Sequence, residues 1–243
     1  GMMASYASIA AYFVKFFKPS LPFLLTLQEG DSENHLRFGK AGLVGFFGKR
    51  LIKKADRIQV ISKYLRDFAI RQGAKSPIDI VPNGVDISNF SRTFSNAEKQ
   101  EARGRLNIEL NDFAVISVSR LAYKNGLDIL VKSIKSIELG TKFPTIKVIL
   151  IGEGSKRKEL EGLVRKLGLE KSVIFLGSVP NKDLPLYFSI ADIFVRPSRS
   201  EGLGSAFLEA MAAGLPVMDS VVLADMLHSS VIFFVHSVVA VLS

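Results

Sequence analysis

The chain has 243 residues, 48% of them hydrophobic and 23% charged, with a formal net charge of +9. That length bounds it to one large domain or two modest ones, and the composition excludes a disordered chain. The absence of cysteine excludes disulfides and thiolate metal sites and fits a reducing cytosol, and three scattered histidines (His35, His228 and His236) do not make a zinc cluster, so no metal is expected.

The opening residues 1–27 are apolar, but Lys15 and Lys18 interrupt the run rather than precede it, and no small-residue cleavage site follows. The segment is therefore not read as a signal peptide, and no stretch reaches the ~18 uncharged apolar residues of a membrane-spanning helix. Gly1 before Met2 and Met3 reads as a tag remnant. Short β-branched runs then alternate with helical patterns. The runs at 22–28, 57–62, 78–82, 113–119, 145–152, 172–177 and 191–197 read as buried strands, and ten or more residues of helical period separate most of them. This is the signature of βαβ units, hence of an α/β fold with parallel sheets covered by helices.

The positive charge is concentrated. Between Arg37 and Lys75 eleven Lys/Arg face only Asp56 and Asp67. Such a patch attracts phosphates, whether on nucleic acid, anionic lipid or a charged substrate. Residues 43–58 have helical period and place Lys49, Arg50, Lys53, Lys54 and Arg57 within one arc of about 140°. Val44, Phe47, Leu51, Ala55 and Ile58 take the other side, while Leu43 and Phe46 fall among the cations, the mixture expected where a helix rests on anionic lipid. An ordinary surface helix would also account for the pattern. Nucleic-acid binding is disfavoured, because no aromatic stacking platform or recognition motif accompanies the basic face.

From Val85 to Asn111 the chain turns polar and is read as a linker with a short helix. The expected division is a partial first domain over 1–85, a linker over 86–111 and a second domain over 112–243.

Beyond the linker, "SVSRLAYKNGLDIL" (117–130) puts Arg120 at the tip of a strand, Lys124 four residues on and Gly126 before the next helix. In open α/β sheets ligands sit at the carboxyl ends of strands, and two cations there suit a diphosphate, Arg as a planar fork and Lys as a point charge. Two solvated loop cations are the plainer alternative. "LIGEGSKRKEL" (150–160) is half a dinucleotide fingerprint without its third glycine or strand-end acid, and reads as a tight strand-to-helix turn.

The stretch "RPSRSEGLGSAFLEAMAAGLPV" (196–217) joins a strand to a helix of high propensity ended by Gly214 and Pro216. Glu201 lies in the loop at the strand's carboxyl edge, and Gly202 and Gly204 let backbone amides approach a ligand. Glu209, in the helix, is either a solvated helix former or a second carboxylate in the same cleft. Two such carboxylates would each accept pairs of hydroxyl hydrogens, one from a ribose and one from a hexose.

Together "VPNGVDISNF", "VSRLAYKNGLDIL", "VILIGEGS" and the run from "VIFLGSVPNKDL" to "AAGLPV" strongly resemble glycosyltransferase family 4, retaining enzymes of the GT-B fold, from about Pro22 to Val217. The resemblance implies two Rossmann-like domains, the first binding an acceptor (a glycan or a lipid-linked one) and the second a nucleotide-sugar donor such as a UDP- or GDP-sugar. It implies that Arg120 and Lys124 hold the donor diphosphate, that Glu201 contacts the transferred sugar and that Glu209 contacts the ribose. The amides around Gly202, Leu203 and Gly204 would lie against sugar and phosphates. The chemistry it implies is electrostatic support of the departing diphosphate, with no obligatory cofactor.

Three departures accompany it. The first domain lacks the family's glycine-rich opening turn, so it is expected to be incomplete. Gln28 stands where a histidine is usual, and cannot titrate. The residues from about 218 are an atypical apolar tail in place of the family's C-terminal part. The expected function is a hexosyltransferase or a fragment of one, cytoplasmic or peripheral on the inner face of a membrane, the isolated chain transferring sugar poorly or not at all. The alternatives are a non-catalytic nucleotide-sugar binding module and a nucleotide-sugar epimerase of the same fold.

Overall fold

A computed structural model describes residues 6–28, 43–138, 145–199 and 204–219. Within it the chain forms two compact units, one up to Gly84 and one that runs from Val85 to Arg199 and resumes at Ser205.

The first unit contains α1 (Tyr6–Phe17), β1 (Leu24–Leu27), α2 (Leu43–Lys54), β2 (Arg57–Val60), α3 (Lys63–Arg71) and β3 (Ile78–Ile80). The strands form one parallel sheet in the order β1-β2-β3. Alternation puts Leu25, Leu27, Ile58 and Val60 into a core with Leu51, Ile52, Leu65 and Phe68, as the two-residue period of a strand requires. The Ser62 hydroxyl caps α3 by accepting from the Leu65 amide.

The helical period read over 43–58 stops at Lys54. Asp56 accepts both the Lys15 ammonium and the Phe23 amide at 2.7 Å, which turns the chain, and the lysine holds its carboxyl below the usual range. Arg57 therefore opens β2 and does not join the basic face of α2. It makes two hydrogen bonds to the Asp79 carboxylate on the neighbouring strand, at 2.5 and 3.0 Å. Lys49, Arg50, Lys53 and Lys54 remain on the exposed side of α2, with Leu51 and Ile52 buried beneath. The Arg50 guanidinium covers the ring of exposed Phe46 at 3.3 Å.

The second unit holds α4 (Ile87–Phe90), α5 (Asn96–Arg105), β4 (Phe113–Val118), α6 (Leu127–Glu138), β5 (Ile146–Ile151), α7 (Arg157–Leu167), β6 (Val173–Gly177), α8 (Leu184–Ser189), β7 (Ile193–Arg196), α9 (Ser205–Ala212) and β8 (Val217–Asp219). Its five strands are all parallel in the order β6-β5-β4-β7-β8. Helices cover both faces, so β4, β5 and β7 are nearly continuous apolar runs, as buried parallel strands must be. On one face Val115, Val148, Leu150 and Val195 pack with Leu130, Ile134 and Val164. On the other, Ala114, Ile116, Ile149 and Phe194 pack with Phe90, Phe188 and Phe207.

The stretch expected as a linker carries α4 and α5, and Phe90, Ala102 and Ile108 enter that second core. Ser95 and Glu98 close a capping box at the start of α5. Arg103 on α5 donates to the carbonyls of Ile190 (2.9 Å), Glu109 (2.9 Å) and Asp112 (2.6 Å), tying the helix to the unit. The chain also continues as strand past the point where the resemblance was expected to end: Val217, Met218 and Asp219 pair with Phe194, Val195 and Arg196.

Candidate functional site

The strand order reverses between β4 and β7, the switch point where open α/β sheets bind ligands at their carboxyl ends. Three loops meet there. The loop after β4 carries Arg120 and Lys124, which the structure brings to this edge as expected: Arg120 is exposed and Lys124 half-buried. The loop is built tightly. The buried Asn125 side chain donates to the Arg120 carbonyl at 2.5 Å, closing a 3-10 turn over Tyr123–Asn125. Gly126 then takes φ 65°, and a Cβ on it would lie 1.7 Å from the Pro197 carbonyl oxygen. Only glycine permits that approach between the β4 and β7 loops.

On the other flank Gly152, at φ 131°, lies so close to the Ser119 carbonyl that an added Cβ would meet its oxygen at 2.0 Å. The glycine turn after β5 is thus spent on packing the β4 loop, which agrees with its reading as a tight turn and leaves no open dinucleotide cradle.

The β7 loop is fastened to the β4 loop by Arg199. Its guanidinium grips both oxygens of Asp128 at 2.7 and 2.8 Å, donates to the Tyr123 carbonyl at 2.8 Å and lies over the Tyr123 ring at 4.2 Å. Its backbone amide donates to the Lys124 carbonyl at 2.7 Å. Asp128 is held below the ordinary carboxylate range, chiefly by this hydrogen bonding. Beneath the same loop Arg196, 6% exposed, donates through Nε to the Ser198 hydroxyl at 3.1 Å and rests over Phe207 at 4.5 Å. Burial lowers its pKa to about 10, with Asp219 on the paired strand opposing the shift, so it stays cationic at neutral pH.

Glu209 is half-buried on α9, and its Oε1 accepts from Asn181 Nδ2 at 3.2 Å. Desolvation raises its pKa and the Asn181 bond pulls against that. Its carboxylate is thus partly withdrawn from solvent. Gly204 directly precedes α9, whereas Glu201, Gly202 and Leu203 lie outside the described residues, as do His35, His228, His236 and the tail from 220.

An open cleft of about 510 Å³ lies beside the β6 loop, lined in part by Arg92, Phe94, Ser178, Lys182 and Tyr187. Arg120 and Lys124 do not line it, so cavity size alone does not mark the site. Among the described residues no group of three His, Asp or Glu side chains is placed to hold a metal ion.

Asn125, Asp128, Asn181, Arg196 and Arg199 carry no local sequence signal of these roles. The positive turn signal at Gly126 was readable, but the partners of Arg199 and Asn181 lie 71 and 28 residues away.

Residues 98–222, just over half of the chain, match the family described as Glycosyl transferases group 1. The chain belongs to this family. Group 1 relatives include an alpha-monoglucosyldiacylglycerol synthase of Acholeplasma laidlawii, 29% identical over 72% of this chain and 44% of its own length. A GDP-mannose-dependent alpha-(1-6)-phosphatidylinositol monomannoside mannosyltransferase of Mycolicibacterium smegmatis is 31% identical over 70% of this chain and 45% of its own. The chain thus spans a little under half the length of these curated relatives. Among solved structures, Anabaena HepE in complex with UDP-glucose aligns at TM-score 0.75 and 25% identity, covering 90% of this chain and 58% of that one. The fold of this glycosyltransferase chain is GT-B-like, and its two parallel-sheet units correspond to that class.

Proposed function

We propose that the second unit binds a nucleotide-sugar donor and that the protein transfers its hexose to an acceptor with retention of configuration. The observation that carries the reading is the fastening of the β4 and β7 loops by Arg199, which sets Lys124 and Arg120 on one edge with the start of the loop leading to Glu201. In this reading Arg120 and Lys124 neutralise the diphosphate as it leaves, the role in which preorganised charge lowers a barrier most. Glu201 orients the transferred sugar, the amides of Gly202, Leu203 and Gly204 face the sugar and phosphates, and Glu209 accepts the ribose hydroxyls. The UDP-glucose complex of HepE and the GDP-mannose dependence in the name of the mycobacterial relative support the donor class. Titration calorimetry with UDP and GDP tests it: micromolar binding of one of them by the 243-residue chain is expected, and the absence of both would overturn it. A transfer assay with UDP-glucose and GDP-mannose then separates an active transferase from a binding module.

The names of the same relatives, a diacylglycerol and a phosphatidylinositol enzyme, support a lipid-linked acceptor. The first unit fits that use. Lys49, Arg50, Lys53 and Lys54 lie exposed on α2, where Arg50 covers the exposed Phe46 ring; α1 carries the exposed Phe13, Phe16 and Phe17, and the two helices meet through Phe47 against Tyr12 and Phe13. Cations beside exposed aromatic rings suit the headgroup region of an anionic bilayer. No helix among the described residues is long and apolar enough to cross a membrane, so the contact we propose is peripheral, on the cytoplasmic face where nucleotide-sugars are available. Charge reversal in K53E/K54E should reduce binding to phosphatidylglycerol vesicles in flotation at least tenfold, at about 1 kcal/mol per charge removed. Unchanged flotation would remove the membrane contact from the proposal.

A further inference from the structure

We propose that Asn181 is a positioning residue for Glu209, holding one carboxylate oxygen through its side-chain amide so that the other is presented to the vicinal hydroxyls of a ribose. This rests on the donor-binding reading above.

The geometry is a bridge between two elements distant in sequence. Asn181 opens the 3-10 turn Asn181–Asp183 after β6, Glu209 lies on α9, and Nδ2 of the first donates to Oε1 of the second at 3.2 Å. A glutamate side chain has three torsions to fix, and a carboxylate that must accept two hydroxyl hydrogens at once needs them fixed before the ligand arrives. The amide suits this task because it donates to one oxygen and leaves Oε2 its full acceptor capacity. It also favours the ionised, acceptor-only form against the partial burial that raises the carboxyl's pKa. The turn itself does not require asparagine for its backbone: the cap amide of Leu184 bonds to the Asn181 carbonyl, which any residue supplies. The side chain is therefore available for Glu209.

A positioning role and a turn-forming role predict different orders of substitution. Asp replaces Asn readily in turns, but here a second carboxylate would sit beside Glu209. The test is calorimetric binding of UDP and GDP to the 243-residue wild type, N181A and N181D, repeated with the 2′,3′-dideoxy form of whichever nucleotide binds. Loss of one hydrogen bond should weaken ribonucleotide binding about threefold to tenfold in N181A, and N181D should be weaker still. Binding of the dideoxy nucleotide, which has no hydroxyls for Glu209, should change less than about twofold in N181A, and thermal unfolding should stay near wild type. Wild-type affinity in N181D, or equal losses for both sugars in N181A, would overturn the assignment while leaving the donor reading standing. A wild-type chain that binds neither UDP nor GDP would overturn the donor reading itself and this assignment with it.

Discussion

Removing both cations of the β4 loop in R120A/K124A should weaken binding of UDP or GDP by about a hundredfold or more while leaving the fold in place. Each side chain is expected to make a charge-assisted bond to the diphosphate worth about 1.5–3 kcal/mol, and two neighbouring contacts add only in part. Neither lies in the two cores of the second unit, so the unfolding midpoint should move by no more than a few degrees. R120K should recover less than half of the loss from R120A, since an ammonium lacks the planar fork that meets two phosphate oxygens together. Calorimetry at two salt concentrations checks the origin of the effect: wild-type affinity should fall as salt rises, and the double variant should show a shallower dependence. Equal affinity in wild type and the double variant would place the phosphates elsewhere.

R199A is expected to cost both stability and donor affinity. Arg199 and Asp128 are about a quarter exposed, between a surface pair worth little and a buried pair whose breakage is severe. Truncation also deprives the Tyr123 carbonyl of its donor, so a loss of about 1–3 kcal/mol is expected in urea unfolding at neutral pH. R199K should restore only a minor part, because one ammonium cannot grip both carboxylate oxygens and the carbonyl together. The pH dependence follows from Asp128, whose carboxyl is held low mainly by hydrogen bonding to Arg199. A carboxyl depressed in the folded state contributes stability above its unfolded value, near 3.9, and loses it as pH falls through the folded value. The gap between wild type and R199A should therefore be full at pH 7 and narrow below about pH 4. A gap that stays constant into acid would show that the ion pair is not its source.

Much of this architecture is legible in the residues. β1–β7 are legible as short β-branched runs: β4, β5 and β7, buried on both faces, have little room for polar side chains, while β1 and β2 show the alternation of a strand with one buried face. Arg120 and Lys124 were placed at the sheet's carboxyl edge by the same strand ends. A helical period can run on past a real helix end, which is why Arg57 reads as part of the basic face; the stop comes from Asp56 taking Lys15, 41 residues earlier. The polar stretch 86–111 reads as a linker with one short helix where the structure has two, α4 and α5, and Ser95 three residues before Glu98 is a readable capping box for the second. β8, only three residues long, follows Pro216 and carries no alternating pattern to announce it. The site's supports were least legible. Arg199 with Asp128 and Asn181 with Glu209 are pairings created by the fold, and neither partner carries a local signal of the other.

The β4 turn, wedged between Gly152 on one flank and Pro197 on the other, bears on the cost of capturing a ligand. With Gly126 against the Pro197 carbonyl, Asn125 closing the turn and Arg199 bracing it, the backbone that presents Arg120 and Lys124 is already ordered when the chain has folded. A diphosphate arriving there need not organise its own receptor. The entropy of ordering is met at folding, and more of the attraction between cations and phosphates is left to appear as affinity.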